Sequence, residues 1–244
     1  MGLVASRMYL AFNREIAANA ARRFSPHVDS RTMHSLAWAS VSPSLRSRVS
    51  LQGEPPHELA ARYGLGPLEV RTVTGKAVEL APFEIGRMIA DGRDRFCRSA
   101  DIQPATRHIV VDEKIDEAVA AQLRTYLLPY IGHLWEEGAA ARAVGAISPD
   151  VLLKLWALSE PRIEADYLLF DEVQDSDGVM LSVLGQQRHA QIIYVGDPYQ
   201  ADLRTAGRGQ CDGADRRARV RAYGIVPLWR HVRGARQPPA CTAR

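Results

Sequence analysis

The sequence predicts an α/β fold, a parallel sheet core interrupted by a long helical insertion. Three observations carry that expectation. Strand-then-helix alternation occurs near both ends of the body, over residues 8–39 and again over 167–195. The stretch between them reads as helices separated by Pro and Gly breaks. The uninterrupted apolar run Tyr167 to Phe170 fits a strand buried on both faces of a parallel sheet, a second buried strand is read over Gln191 to Val195, and each ends in an acidic loop.

In chain order, Met8-Tyr9-Leu10-Ala11-Phe12 is a short apolar run of strand type, and the Ala-rich stretch from Asn13 to Phe24 has helix propensity. Pro26 stops that helix. An extended piece from Val28 to Thr32 follows, then a helix from Met33 to Ala39. From Val41 to Ile147 no strand alternation persists, and helices are expected over Leu80 to Ser99 and Ile115 to Ala141. Ser148-Pro149-Asp150 has the chemistry of a helix start, with Ser as N-cap and Pro at the first position. The strand Tyr167 to Phe170, a helix from Gly178 to Gln187 and a second buried strand from Gln191 to Val195 complete the pattern. Two strands ending in acidic loops on one sheet edge define a ligand site at their carboxyl ends.

With 46% hydrophobic residues in 244, the chain can build a real core, which excludes a disordered tail. Cys97, Cys211 and Cys241 are too scattered for a disulfide framework or a Cys-x-x-Cys metal site, which favours a reducing compartment, with the cytoplasm as the expectation. No stretch approaches the roughly 20 apolar residues of a membrane span, so no membrane partner is expected. The net charge of +3 is uneven. Residues 201–244 hold ten Arg and three Asp with no Lys or Glu, about +7, leaving the body near −4.

Asp171-Glu172-Val173-Gln174-Asp175 directly follows the first buried strand. A strand-end Asp can hold Mg²⁺ against a transferring phosphoryl group, and an adjacent Glu can orient and deprotonate a water. Alone, such a pair reads as a solvated acidic loop. The next strand, however, ends in Gly196-Asp197-Pro198-Tyr199-Gln200, and the two segments together resemble motifs II (D-E-x-Q-D) and III (G-D-x-x-Q) of superfamily 1 DNA helicases of the UvrD/Rep type. Leu10-Ala11-Phe12-Asn13 resembles their motif Ia and Thr32-Met33-His34-Ser35 their motif Ib, in wording similar to the branch that includes the F-box DNA helicases. The resemblance implies a P-loop NTPase (RecA-like) core that uses ATP and Mg²⁺. It implies Asp171 as the Mg²⁺ ligand, Glu172 as catalytic base, Asp197 at the nucleotide, and Gln200 as γ-phosphate sensor and part of the catalytic set. Phe12, Asn13, Thr32, His34 and Ser35 would contact single-stranded DNA by stacking and phosphate hydrogen bonds. Taken singly, Phe12 fits a core and His34 a structural histidine. A 3′ to 5′ polarity is a family expectation only, and the sequence is silent on oligomeric state.

The phosphate loop of this family, G-x-x-x-x-G-K-[ST], is missing. Gly75-Lys76 is the only Gly-Lys pair, and it lies after motif Ib with Ala following. After Gln200 the resemblance ends abruptly. Read one base out of frame, residues 201 onward permit a Q-I-Y-E-R-R-G-A string and later S-F-R, as the family continues, so a single inserted base would explain an Arg-rich tail with no packed fold. A genuine basic nucleic-acid-binding arm is the alternative. The expected organisation is therefore residues 1–44 and 148–200 as two parts of an ATPase-type domain, 45–147 as a helical insertion, and 201–244 as a poorly ordered tail. The sequence points to a helicase fragment inactive as an ATPase. Its rivals are a non-enzymatic DNA-binding or interaction module and a metal-dependent nuclease holding two ions on Asp171, Glu172 and Asp175.

Overall fold

The computed structural model describes residues 5–51, 53–140 and 145–196. Asp197, Gln200 and the whole basic segment 201–244 lie outside the described residues. Strand β1 (Arg7–Leu10) leads to helix α1 (Arg14–Arg23), whose first turn is fixed by Asn13: its Oδ1 accepts from the Ile16 N–H at 2.9 Å. Strand β2 (Val28–Arg31) leads to helix α2 (Met33–Ser40) through a reciprocal cap. The Ser35 N–H donates to Thr32 Oγ1 and the Thr32 N–H donates to Ser35 Oγ, both at 3.1 Å. The box satisfies two otherwise orphaned donors at α2 and the Asn13 cap one at α1, which is why both helices begin where the sequence places them.

The insertion comprises α3 (Pro43–Arg46), α4 (Pro56–Arg62), a hairpin of β3 (Leu68–Arg71) with β4 (Ala77–Leu80), α5 (Pro82–Arg98), a 3-10 turn at Thr106–His108 and α6 (Glu117–Ala139). The hairpin corrects the expectation that no strand interrupts residues 41–147. Its strands are four residues each and only Val70 is buried, so they leave no alternation to read. Gly75-Lys76 is its turn. The Gly75 N–H donates to Thr72 O at 2.8 Å, and Gly75 takes φ +79°, a conformation that favours glycine. The chain enters and leaves the insertion side by side. The Ser50 N–H donates to Ile147 O and the Ile147 N–H to Arg48 O, while the Arg48 guanidinium donates to the carbonyls of Gly145, Ala140 and Glu137.

After this neck come α7 (Pro149–Leu158), capped by Ser148 Oγ, then β5 (Tyr167–Phe170), a 3-10 turn at Val173–Asp175, α8 (Gly178–Gln186) and β6 (Gln191–Tyr194). The four long-range strands form one parallel sheet in the order β2-β1-β5-β6. One face, with Met8, Leu10, Leu168 and Phe170, packs under α2, α7 and α8. The other face, with Tyr9 and Ala11, packs under α1. A separate core fills the insertion around Ile85, Ile89, Leu127 and Ile131, and a smaller one, with Phe96, Cys97, Ile147 and Val151, fills the junction. The expectation of a second buried strand is corrected. β6 is the last strand of the described sheet, with Ile193 42% and Tyr194 39% exposed. Apolar composition makes a strand but does not decide whether neighbours cover it. Among the described residues no helix is long and apolar enough to cross a membrane.

Candidate functional site

In a parallel sheet every strand-to-helix connection opens at the same edge. Phe12-Asn13 follows β1, Thr32 to Ser35 follow β2, Asp171 to Asp175 follow β5, and Gly196 follows β6. The chain steps outward from β1 to β2 and in the opposite direction from β5 to β6, so the strand order reverses between β1 and β5. The crevice at such a reversal is where open α/β sheets bind ligands.

Asp171 stands at that reversal. Its N–H donates to Leu10 O at 3.1 Å, its Oδ1 accepts from the Glu172 N–H at 3.0 Å, and its Oδ2 accepts from the Tyr9 hydroxyl at 2.5 Å. Burial, and then the bond to Asp171, pushes the Tyr9 phenol above its ordinary range. Two donors from two sides fix the carboxylate while leaving each oxygen a further lone pair. Mg²⁺ commonly takes one or two protein carboxylates and completes its shell with phosphate oxygens and water, so Asp171 fits as a single protein ligand. Tyr9 is a residue that sequence reading missed, because nothing in its spacing ties it to Asp171.

Glu172 takes φ 53° and ψ 45°, a left-handed conformation that costs a non-glycine residue about 1–3 kcal/mol. Its carboxylate accepts from the Gln174 amide. The loop is braced from β6: the Val173 N–H donates to Val195 O at 3.1 Å, and the Val195 N–H to Phe170 O at 2.8 Å. Gly196 lies so close that a Cβ there would meet Val173 Cγ1 at 2.7 Å and Val173 N at 3.2 Å. The glycine after the second strand is thus required by the acidic loop after the first. Among the described residues no group of three or more His, Cys, Asp or Glu side chains gathers as a metal cage, and Asp175 is exposed.

The remaining candidates divide by availability. Thr32 is buried, and with Ser35 it is spent on the α2 cap, as Asn13 is on the α1 cap. Phe12 is 47% exposed, against the reading of it as core. His34 Nε2 lies 3.2 Å from Asp150 Oδ1, and the Arg98 Nε–H donates to Asp150 Oδ2 at 2.8 Å. The His34 hydrogen bond, followed by those of Arg98, holds the Asp150 carboxyl down to about 2. Asp177, the residue before α8, feels the charges of Arg98, Asp150 and His34, and burial raises its carboxyl above the usual range. This cluster joins α2, the end of α5, the start of α7 and the start of α8. No spacing of these residues along the chain signals it.

No protein-family model matches the chain. Over most of its length the chain is similar to F-box DNA helicases. It is 29% identical over 214 residues to F-box DNA helicase protein 1 of Schizosaccharomyces pombe, a match covering 84% of this chain and 24% of that protein. It is 26% identical over 205 residues to F-box DNA helicase 1 of Gallus gallus, covering 80% of this chain and 19% of the relative. The chain therefore spans about a quarter or less of the curated relatives it matches. A helicase-like relationship over most of the chain follows from these matches.

Proposed function

We propose that the helicase-like chain carries part of the first motor domain of a UvrD/Rep-type DNA helicase, and that by itself it binds single-stranded DNA without turning over ATP. The observation that carries this reading is the convergence of the Asp171-Glu172 loop, Gly196, Phe12 and His34 on the sheet edge where the strand order reverses. In this reading residues 1–44 and 148–200 form the motor core and 45–147 the insertion. Asp171 holds Mg²⁺, Glu172 orients and deprotonates the attacking water, and Asp197 and Gln200 complete the nucleotide site. Mg²⁺, when bound with ATP, neutralises charge on the transferring phosphoryl group. Phe12 offers a face for a base and His34 a contact for a phosphate.

A second reading, a DNA-binding module without catalysis, is favoured by one specific fact: the chain contains no G-x-x-x-x-G-K-[ST] segment to hold the β and γ phosphates. For this chain alone the two readings predict the same assay. Purified protein should show no ATPase activity above background with or without single-stranded DNA. Turnover that vanishes in Glu172→Gln would overturn the inactivity. Binding of a labelled oligothymidylate, measured by fluorescence anisotropy, should fall steeply with salt and weaken in Phe12→Ala. Absence of any binding would remove both readings.

A further inference from the structure

With Thr32, Ser35 and Asn13 committed to helix caps, Phe12 and His34 are the candidate contact residues whose side chains are not consumed by backbone. His34 is about one third exposed and Asp150 about one fifth. Asp150 is ionised throughout the range in which a histidine exchanges its proton, since it is held near 2. An ionised carboxylate can only accept, so the 3.2 Å contact requires the proton to sit on His34 Nε2. That leaves Nδ1 as the variable atom of the ring, and it has no hydrogen-bond partner among the described residues.

We propose that Asp150 is a positioning residue for His34, fixing the orientation and tautomer of the imidazole so that Nδ1, when protonated, donates to a phosphate of single-stranded DNA. The arrangement is that of a carboxylate orienting a histidine whose other nitrogen meets the ligand. The proposal rests on the DNA reading above. The charged groups around the ring are Asp150 on α7, Arg98 at the end of α5 and Asp177 before α8. The Arg98 guanidinium is paired with Asp150 at 2.8 Å. Asp177 adds a further negative charge.

The test is the salt dependence of oligothymidylate binding by the full chain at pH 8.0 and pH 6.0, read by anisotropy. One additional cationic contact steepens the slope of log K against log salt by about 0.7 for a single strand. The wild type should show that steepening at pH 6.0, and His34→Gln should show the same slope at both pH values. Asp150→Asn should lose the steepening, Asp150→Glu should restore it, and Arg98→Gln, which breaks only the neighbouring ion pair, should keep it. Nitrogen-proton correlation spectra of the His34 ring should show the Nε2–H tautomer in the wild type and a mixture in Asp150→Asn. Circular dichroism and melting curves confirm that each variant is folded. Steepening that survives in Asp150→Asn, or in His34→Gln, overturns the positioning role. If the wild type binds DNA with no change on acidification, the DNA reading stands and this proposal falls. If it binds no DNA, both fall.

Discussion

Lys154 is 1% exposed, and among the described residues its ammonium has no carboxylate partner. It donates to Ser99 O at 2.8 Å and Asp101 O at 2.5 Å, in the segment just after α5, and stands 4.5 Å from the centre of the Phe96 ring. Burial pulls its pKa down to about 8. The unfolded chain holds the same proton until about 10.4. Between those values the unfolded state binds more protons, so the contribution of this site to stability rises with pH. Below pH 8 the cost of the buried charge is fully present. From pH 7.5 to 9.0 the wild type should therefore gain about 1 kcal/mol, or roughly 2–4 °C in Tm, relative to Lys154→Met. Cys97 runs the other way, because burial pushes its thiol up to about 12 and its contribution falls as pH rises through the unfolded value near 9, but it does so in both proteins. Parallel Tm curves for the two proteins over that window would contradict the buried-ammonium account.

Helix packing in the insertion turns on glycines that look alike in the sequence. Gly86 of α5 faces the Pro56 carbonyl and lies where a Cβ would meet Ala60 Cβ at 3.3 Å, so α4 and α5 approach only because a side chain is missing. Gly132 of α6 faces open space. Gly132→Ala should stabilise the chain by about 0.5–1 kcal/mol through helix propensity. Gly86→Ala should destabilise it by about 1–3 kcal/mol through overpacking. Chemical denaturation of both variants checks the pair, and equal shifts would refute the packing asymmetry. α6 itself runs unbroken through Pro129, a residue that removes one backbone donor from the ladder, so its 23-residue length depends on the buried stripe of Leu123, Leu127, Ile131 and Leu134.

Cover over the α1 face of the sheet runs out across the molecule. In the row Tyr9, Leu169, Ile193, aligned by strand register, exposure rises from 7% at Tyr9 to 42% at Ile193, leaving a trough of about 380 Å³ between Phe24, Val28, Tyr167 and Ile193. Parallel sheets are ordinarily buried on both faces, so this half of the sheet is under-covered among the described residues. Ile193→Lys should leave Tm within about 2 °C of the wild type and lower self-association in light scattering, since a charged side chain blunts an exposed apolar edge. Leu168→Lys, one register position away on the fully buried face, should prevent folding. A large loss of Tm in Ile193→Lys would mean that the face is covered after all.

Much of the local structure was legible in the residues themselves. Asn13, Thr32 with Ser35, and Ser148-Pro149 mark helix starts, and Tyr167 to Phe170 marks a strand, because caps and apolar runs act over three or four residues. The acidic loop and the glycine after β6 were legible as motifs for the same reason. The hairpin was not, since two four-residue strands with one buried side chain carry no period. Nor was the exposure of β6, because burial belongs to what lies opposite a strand. Tertiary structure alone decided the partners at the site. Tyr9 reaches Asp171 across 162 residues, His34 reaches Asp150 across 116, and Arg98 reaches Asp150 across 52. A side chain's chemistry is written in its residue type, but which group it meets at 3 Å depends on how the whole sheet and its insertion close, and no spacing within one strand or helix encodes that distance.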